Sequence, residues 1–426
     1  MFRSKHTQAR VIAPSRTTQC CTTSSFRLYF FSFLLILFMG PVMYALPYLS
    51  MQFRKNVMTS PEVVIAVNSE IPSQHRNNRS ILGDTVNPKH VHYYNVPGWM
   101  KTDNMFTSCD YPCTLTTGYD IAHLGSDTAI VFHAPDIMTI PAKKATGQIW
   151  VIHSMESPRN HHQVWGSWND LVNWTLGYRR DADIFSPYAI FTQKIKSGSS
   201  KDLDEAGKNG LKQFISRKAW KAKVLKGVWF VSKCREPSLR DDYAIRLQRF
   251  MDVHIFGECG QLFCWRRLKS LCRNYMKKWY KFYLSFENSL CRDYITEKSF
   301  NLYTHNLDLV PVIRNGANAS LYLPPGSYVT TNDFRSIKSL GTYLNSMSKD
   351  YKKFNRLFQW KNHYTSSDMI DSNVAFCELC RRLHETDKNT KYHRLYHSIQ
   401  AWLTGNDILP VCTNVVRDVF NITDNK

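Results

Sequence analysis

Short runs of apolar residues recur along the chain from residue 128 onward, separated by longer polar stretches of helix-like composition. Within the runs, apolar residues follow one another rather than alternating with polar ones, which is typical of strands covered on both faces. Because helical stretches separate them, the pattern predicts parallel α/β sheets joined by right-handed crossovers. The predicted strands are Thr128–His133, Gln148–His153, Val228–Ser232, Val253–Phe256, Phe282–Phe286 and Leu309–Ile313.

A polar, Lys-rich interval divides the predicted strands into two groups. It runs from Lys194 to Lys226 and contains the sequence SGSSKDLDEAGKNG, which is typical of a linker or an exposed loop. We therefore expect two α/β lobes, one over residues 88–225 and one over residues 226–365. The last segment, residues 366–426, shows no pattern of a third domain.

A different apolar pattern lies near the N-terminus, where Leu28–Leu46 contains no charged residue. As a helix this stretch is about 28 Å long, enough to cross a bilayer core. Basic residues without acids precede it, which places the N-terminus in the cytoplasm. A cleaved signal peptide or a buried core helix would also be apolar, but the long leader and the lack of a clear cleavage site favour an anchor. We expect a tail over residues 1–27, a transmembrane anchor over 28–49 and a lumenal stem over 50–87.

Composition and charge exclude a disordered chain and indicate the kind of partner the protein binds. The 426 residues are 43% hydrophobic and 13% aromatic, so a largely disordered chain is excluded. The 55 Lys and Arg residues against 34 Asp and Glu give a formal charge of +21. That balance favours an anionic partner.

Basic and aromatic residues interleave most densely in Cys264–Lys281. Such a segment could neutralise phosphates and stack bases, as nucleic-acid-binding proteins do. It could equally form an amphipathic helix with Leu268, Leu271 and Tyr275 packed inward and a solvated basic face. The predicted anchor keeps the segment away from nucleic acid, so we favour the helix, with its charge attracting an anionic ligand or membrane lipid.

Cysteine usage agrees with a lumenal location. Ten of the 12 cysteines follow the apolar stretch, and an even number in an oxidising compartment fits disulfides. Cys109, Cys113, Cys377 and Cys380 could instead hold zinc as four thiolates, but disulfides are favoured there. Glycosylation sequons occur at Asn78, Asn173, Asn318 and Asn421, all beyond the anchor.

Charged motifs follow three of the predicted strands, where each strand ends. They are Glu156, Arg240 and the stretch Glu287–Lys298. In open parallel sheets, ligands bind beyond the carboxyl ends of the strands. Two lobes presenting these ends toward one cleft would place a carboxylate opposite a basic, polar pocket.

Five segments in colinear order carry a resemblance to a known family. They are the Cys109/Cys113 pair, MESPRN at Met155–Asn160, NWTLGYRRDADIFSPY at Asn173–Tyr188, YKFYLSFENSLCRDYITEK at Tyr280–Lys298 and Cys377-Glu-Leu-Cys380. Together they resemble the α-1,3-fucosyltransferase family, most closely its invertebrate branch, over about residues 105 to 415.

The resemblance implies a fold, a reaction and a location. It implies a GT-B architecture, in which two Rossmann-like lobes face a cleft that holds the active site. It also implies a Golgi type II membrane enzyme that moves fucose, with inversion, from GDP-β-L-fucose to the 3-hydroxyl of a GlcNAc residue in a glycoprotein glycan. Whether the acceptor is the N-glycan core or a LacNAc or LacdiNAc antenna stays open, and so does a homodimer.

The resemblance also assigns residue roles. Inversion by single displacement needs one general base for the acceptor hydroxyl and stabilisation of the departing diphosphate. Glu156 matches the base proposed for the family. Arg240 and Lys298 match cationic positions suited to the diphosphate. Further donor-site positions are matched by Asn288, Tyr294 and Glu297.

Asp181-Ala-Asp183 has the form of the DxD metal motif of other glycosyltransferases. Arg179 and Arg180 lie beside it and would repel a divalent cation, and the family counterpart is not known as a metal site. We therefore predict no metal ligand and no tightly bound cofactor, with a divalent cation at most stimulatory. The adjacent His161 and His162 are expected in an exposed loop.

Disulfide pairing follows only partly from the resemblance. It implies that Cys109 and Cys113 bond to Cys377 and Cys380, so that residues 366–426 return to the first lobe. A bridge between Cys234 and Cys291 is plausible, since both follow strand ends. Sequence leaves four others unassigned, namely Cys259, Cys264, Cys272 and Cys412.

Two other classes of protein compete with a transferase. A membrane-anchored carbohydrate-binding protein would keep the fold but not the turnover, and the presence of Glu156, Arg240 and Lys298 together argues against it. A basic nucleic-acid-binding protein is the second, and the anchor and the sequons argue against that class.

Overall fold

A computed structural model describes residues 86–140, 143–162, 165–194, 212–369, 373–386 and 392–415. The predicted tail and anchor and most of the predicted stem lie outside these residues. Across these ranges, no helix is both long enough and apolar enough to cross a membrane.

The first lobe is built on a parallel sheet of six strands. Their spatial order is β2–β1–β3–β4–β5–β6. All six residues of β3 are buried, as the continuous apolar run predicts, and β4 begins one residue later than predicted. The strands are β1 (Lys89–Tyr93), β2 (Cys113–Thr117), β3 (Thr128–His133), β4 (Ile149–Ser154), β5 (Trp174–Gly177) and β6 (Ile184–Phe185).

The second lobe is built on a parallel sheet of five strands in the order β12–β11–β10–β8–β9. The chain leaves β8 toward one edge and leaves β10 toward the other. The gap between these two strands is therefore a topological switch point, where ligands bind in such sheets. The strands are β8 (Leu225–Val231), β9 (Val253–Gly257), β10 (Tyr280–Phe286), β11 (Val310–Arg314) and β12 (Val329–Thr330).

Helices connect and cover both sheets, so the prediction of two parallel α/β lobes is confirmed. Several begin at a side-chain cap, such as the hydroxyl of Ser336, which accepts the N–H of Ser339. The α-helices are α1 (Arg217–Ala222), α2 (Arg240–Leu247), α3 (Lys269–Trp279), α4 (Glu297–Thr304), α5 (Ile337–Lys349), α6 (Tyr351–Arg356), α7 (Val374–Glu385) and α8 (Ile399–Thr404).

The last part of the chain completes the core of the first lobe. On one face of the six-stranded sheet, Leu379 and Leu383 of α7 pack with Val131 and Trp174. On the other face, Ile399 of α8 joins a cluster rich in tryptophan. These two helices supply part of the cover that both faces need, since the strands are apolar on both sides.

A two-stranded antiparallel sheet lies on the second lobe. It pairs β7 (Ala189–Gln193) with β13 (Tyr364–Asp368), and the ring of Phe191 contacts Tyr303 of α4. Although β7 precedes residue 225 in the chain, it therefore packs with the second lobe. The chain crosses between the lobes before β7 and after β13, and residues 411–413 contact the second lobe again after α8.

One face of α3 differs from prediction. We expected Leu268, Leu271 and Tyr275 to pack inward, but all three are exposed, and Met276 is the buried residue of this helix. The physical reason is position: α3 follows β9, which is the edge strand of its sheet. Among the described residues, only the loop at Leu262 pairs with the outer side of β9, so no further strand lies there for this face to pack on.

Five disulfides join the ten cysteines of the described part of the chain. Cys109–Cys377 and Cys113–Cys380 are as expected, so these sulfurs cannot serve as four zinc thiolates. The predicted disulfide between Cys234 and Cys291 is wrong. Sheet order explains why, because β9 brings Cys259 beside β8, while residues near Cys412 run antiparallel to those near Cys291. The other pairs are Cys234–Cys259, Cys264–Cys272 and Cys291–Cys412.

The two bridges to α7 are expected to stabilise the protein non-additively. Removing Cys109–Cys377 or Cys113–Cys380 alone, by Cys to Ala changes, leaves the long loop closed by the other bridge, so each should cost about 2 kcal/mol. Removing both opens a loop with a sequence separation of 268 and should cost more than the sum. Denaturant unfolding measures this, and additive losses would contradict it.

Candidate active site

Glu156 lies two residues after β4, at the seam between the lobes. Its Oε1 accepts the N–H of Ser157 at 2.8 Å. Two donors come from the second lobe: Asn288 Nδ2 at 3.3 Å and the Tyr294 hydroxyl. Within the described residues, these hydrogen bonds all fall on Oε1 and none on Oε2. The carboxylate is therefore fixed through one oxygen, which leaves the other for a substrate hydroxyl.

A partly buried histidine supports the loop that carries Glu156. The Ser154 hydroxyl donates to the Glu156 carbonyl at 2.9 Å, so it must accept from His161 Nε2, 3.0 Å away. Burial lowers the pKa of His161 to about 4, which keeps the ring neutral. The prediction of an exposed histidine pair holds for His162 but is wrong for His161. No pattern in the sequence distinguishes the two.

Arg240 is the first residue of α2 and lies at the switch point of the second sheet. Its side chain is buried. Nη1 donates to the Phe286 carbonyl at 3.2 Å and Nη2 to the Lys233 carbonyl at 3.0 Å. Nε has no hydrogen-bond partner among the described residues. The guanidinium is thus held by backbone from the ends of β8 and β10, with N–H groups remaining for an anion.

Lys298 lies between two carboxylates at the start of α4. Its Nζ is 3.1 Å from Glu287 Oε2 and 3.2 Å from Glu297 Oε1. Burial disfavours the charged lysine, but both carboxylates more than offset it and raise the pKa of Lys298 above its usual range. Glu297 is the more exposed partner, at 45% against 0% for Glu287. An incoming anion would therefore meet a permanently charged but already paired lysine.

Glu287 begins the charged stretch found in the sequence, but it was not predicted as a site residue. It is fully buried and accepts both the N–H of Thr296, at 2.8 Å, and its hydroxyl. Burial raises the pKa of Glu287, with Lys298 acting in the opposite direction. The carboxylate thus fixes the turn that starts α4. Its only signal in the sequence is its place directly after a strand.

The predicted site residues fall into connected groups along one seam. Glu156 contacts Asn288 and Tyr294 directly, while Glu297 and Lys298 form the second group. The loop before Arg240 joins them, because Ser238 donates its N–H to the Asn288 carbonyl at 3.0 Å and its hydroxyl to the Glu287 carbonyl. Asn288 and Tyr294, expected at the donor site, lie against the carboxylate of the first lobe.

Both acids of the DxD sequence are committed to other side chains. Asp181 pairs with Arg179 and with Arg292 of the second lobe, at 2.6 and 2.7 Å. Asp183 pairs with Arg394 at 2.6 Å and accepts from Tyr396. These carboxylates join segments of the fold, which agrees with a structural rather than a metal-binding role.

Aromatic and histidine side chains line the carboxyl edge of the first sheet. His153 is buried, and its Nδ1 lies at hydrogen-bond distance, 2.5 Å, from the Tyr93 hydroxyl. Burial lowers the pKa of His153 to about 3. The half-exposed ring of Trp99 makes edge contacts with the rings of His133 and His153, with centroids 6.2 and 6.3 Å away. This edge presents an open aromatic face beside Glu156's strand.

Two family profiles match the chain: "Fucosyltransferase, N-terminal" over residues 86–189 and "Glycosyltransferase family 10 (fucosyltransferase) C-term" over residues 220–402. Alpha-(1,3)-fucosyltransferase C of Drosophila melanogaster is 35% identical over 282 residues, which are 64% of this chain and 64% of that protein's length. Alpha-(1,3)-fucosyltransferase 7 of Bos taurus is 31% identical over 301 residues, covering 68% of this chain and 77% of the relative.

The chain belongs to glycosyltransferase family 10, the fucosyltransferases. Among solved structures, a crystal structure of an α1,3-fucosyltransferase with GDP-fucose matches 74% of this chain and 94% of its own. That match has a TM-score of 0.46 and 12% identity.

Buried His153 predicts acid-sensitive stability. Its folded pKa lies below the unfolded value of about 6.5, so the unfolded state binds the extra proton first. Stability from this group is full above about pH 6.5 and falls by about 1.4 kcal/mol per pH unit as the pH drops toward the folded pKa. His153→Gln should remove that part of the slope in unfolding titrations. The exposed His162→Gln is the control, and equal slopes for His153→Gln and the parent would contradict the assignment.

Proposed function

We propose that this protein is an inverting α-1,3-fucosyltransferase that moves fucose from GDP-β-L-fucose to the 3-hydroxyl of a GlcNAc residue in a glycoprotein glycan. The observation that carries the proposal is the position of Glu156, held at the lobe seam by donors of the second lobe with Oε2 left open. Family membership supports the reaction class. The open Trp99 face beside the first sheet offers a surface for an acceptor sugar, since sugar rings pack on aromatic faces.

Glu156 acts as the general base in this proposal. As the acceptor oxygen forms its bond to fucose C1, the C1–O bond to the diphosphate breaks and its electron pair leaves with GDP. The hydroxyl proton passes to Glu156 Oε2. The three hydrogen bonds on Oε1 keep the carboxylate from rotating, so the receiving oxygen is placed before the acceptor arrives.

The second lobe stabilises the departing GDP. Arg240 and Lys298 supply positive charge, and the N-termini of α2 and α4 add their helix dipoles at the same edge. A diphosphate would compete with the exposed Glu297 for Lys298, while buried Glu287 keeps its bond. Fixed cations of the protein take this role, and a divalent cation is at most stimulatory.

We place the enzyme in the Golgi membrane as a single-pass type II protein with a lumenal catalytic part. The uncharged stretch Leu28–Leu46 and the basic leader support this placement. The N-glycan core and LacNAc or LacdiNAc antennae are the candidate acceptors, and incubation with GDP-fucose and a defined glycan panel distinguishes them.

Glu156→Gln tests the base directly. The amide keeps the size of the side chain but cannot accept the proton, so transfer should fall by at least about 10²-fold. GDP binding, measured by calorimetry, should stay within about twofold, because Glu156 lies on the acceptor side. Glu258→Gln, an exposed acid changed in the same way, should have no effect. Parent-like transfer by Glu156→Gln would remove Glu156 from the mechanism. If the parent itself bound sugar without transferring, the carbohydrate-binding class would be correct.

Tyr294→Phe separates two roles of that residue. If the hydroxyl positions Glu156, as their contact indicates, kcat should fall about tenfold while the KM for GDP-fucose stays within about twofold, the loss expected for one hydrogen bond to a charged group. If Tyr294 instead binds the donor, the KM for GDP-fucose should rise with little change in kcat. Steady-state kinetics at varied GDP-fucose decide between them.

A further inference from the structure

An exposed apolar face lies on the second lobe and is formed by residues other than those of the candidate active site. It comprises α3 and the loop that precedes it, and we call it the Trp265 face. Phe263, Trp265 and Leu271 are 74%, 66% and 62% exposed. The face is formed by Leu262, Phe263, Trp265, Leu268, Leu271 and Tyr275.

Local structure holds these side chains together. Leu268, Leu271 and Tyr275 recur at helical spacing, so they share one side of α3. The Cys264–Cys272 disulfide ties the loop to the helix across a separation of 8 residues, and a 3₁₀ turn at Arg266–Leu268 leads directly into α3. The face is therefore presented on a braced scaffold.

Positive charge surrounds the face and acid is missing from it. No Asp or Glu occurs between Glu258 and Glu287, an interval that contains seven Lys and Arg residues. Arg267, Lys269 and Lys278 are exposed. Helix α1 packs against α3 and extends the charge with a further exposed set, Arg217, Lys218 and Lys221. A partner that complements this face must therefore carry negative charge and, next to it, an apolar region that the exposed side chains can enter.

We propose that the Trp265 face docks on a lipid surface that bears anionic headgroups. A helix with Trp, Phe and Leu on one side and Lys and Arg around it lies in the interface of a bilayer, with its cations at headgroup level. Trp and Tyr favour that same region. This inference does not depend on the proposed reaction.

Other occupants fit the face less well. A symmetric contact with a second copy would oppose the same cations to one another, since both partners use the same patch. The phosphates of a nucleic acid would pair with the Lys and Arg side chains, but Leu268 and Leu271 would have no apolar surface to pack against. Lipid meets both requirements at once.

The test uses the full-length chain reconstituted into vesicles of phosphatidylcholine, without or with about 30% phosphatidylserine, the anionic lipid that attracts basic segments. Each vesicle contains a trace of a phospholipid with a photoreactive diazirine near its headgroup. After irradiation, peptide mass spectrometry counts lipid adducts on residues 262–279. The internal reference is α5, on the same lobe, whose Tyr343 is also exposed.

In phosphatidylserine vesicles, adducts on residues 262–279 should exceed those on α5 by at least about fivefold, and they should fall when phosphatidylserine is omitted. Two variants should each lower them about fivefold or more: Leu268→Gln with Leu271→Gln, and Lys269→Gln with Lys278→Gln. Tyr343→Gln is the matched control and should leave them unchanged. Parent-like circular dichroism of each variant shows that the fold is kept.

Adduct yields on residues 262–279 no higher than on α5, or unaffected by both variants, would overturn the proposal. The same holds if protein cross-linking joins the face to a second copy or to residues 195–211 of the same chain. Protection of the face by an RNA oligonucleotide without lipid adducts would assign it to nucleic acid instead.

Discussion

The hydrogen bonds on Glu156 Oε1 are the constraint on which the site depends. The carboxylate belongs to the first lobe, yet two of its donors, Asn288 and Tyr294, belong to the second. Separating the lobes would break these two hydrogen bonds to a charged acceptor, which is unfavourable. The same contact that orients the carboxylate also sets the distance between the lobes, and the ion pair of Asp181 with Arg292 supports it from the side.

Three charged side chains of the second lobe are ordered from the interior to the surface. Glu287 is fully buried, Lys298 lies above it, and Glu297 is the outermost of the three. A buried carboxylate is tolerated only when its acceptor sites are filled, and Thr296 and Lys298 fill them. The ion pair of Glu287 and Lys298 therefore keeps the turn in place. An anionic ligand could replace Glu297 beside Lys298 without unfolding this turn.

Much of the architecture could be predicted from the sequence, because buried parallel strands leave continuous apolar runs. All six predicted strands exist, and the ends of three of them led to Glu156, Arg240 and Lys298. Strands on a sheet edge or with exposed faces leave no such run, as the sequence CTLTT of β2 and YTSSD of β13 show.

Features set by distant neighbours could not be predicted. The disulfide partner of Cys234 depends on which strand lies beside β8. Burial of Leu268, Leu271 and Tyr275 depends on what packs beyond β9. His161 and His162 are the same residue type in adjacent positions, and only the fold makes His161 partly buried and His162 exposed. The pairings of Cys109 and Cys113 were anticipated solely through resemblance.

The return of α7 and α8 to the first lobe has a consequence for biogenesis. The strands of that lobe are translated early, but the helices that cover them emerge only with the last part of the chain. The first sheet therefore lacks part of its cover while the second lobe is synthesised, and contacts of such long sequence separation form slowly. Throughout that interval the apolar strands stay exposed, and Cys109 and Cys113 stay without their partners Cys377 and Cys380.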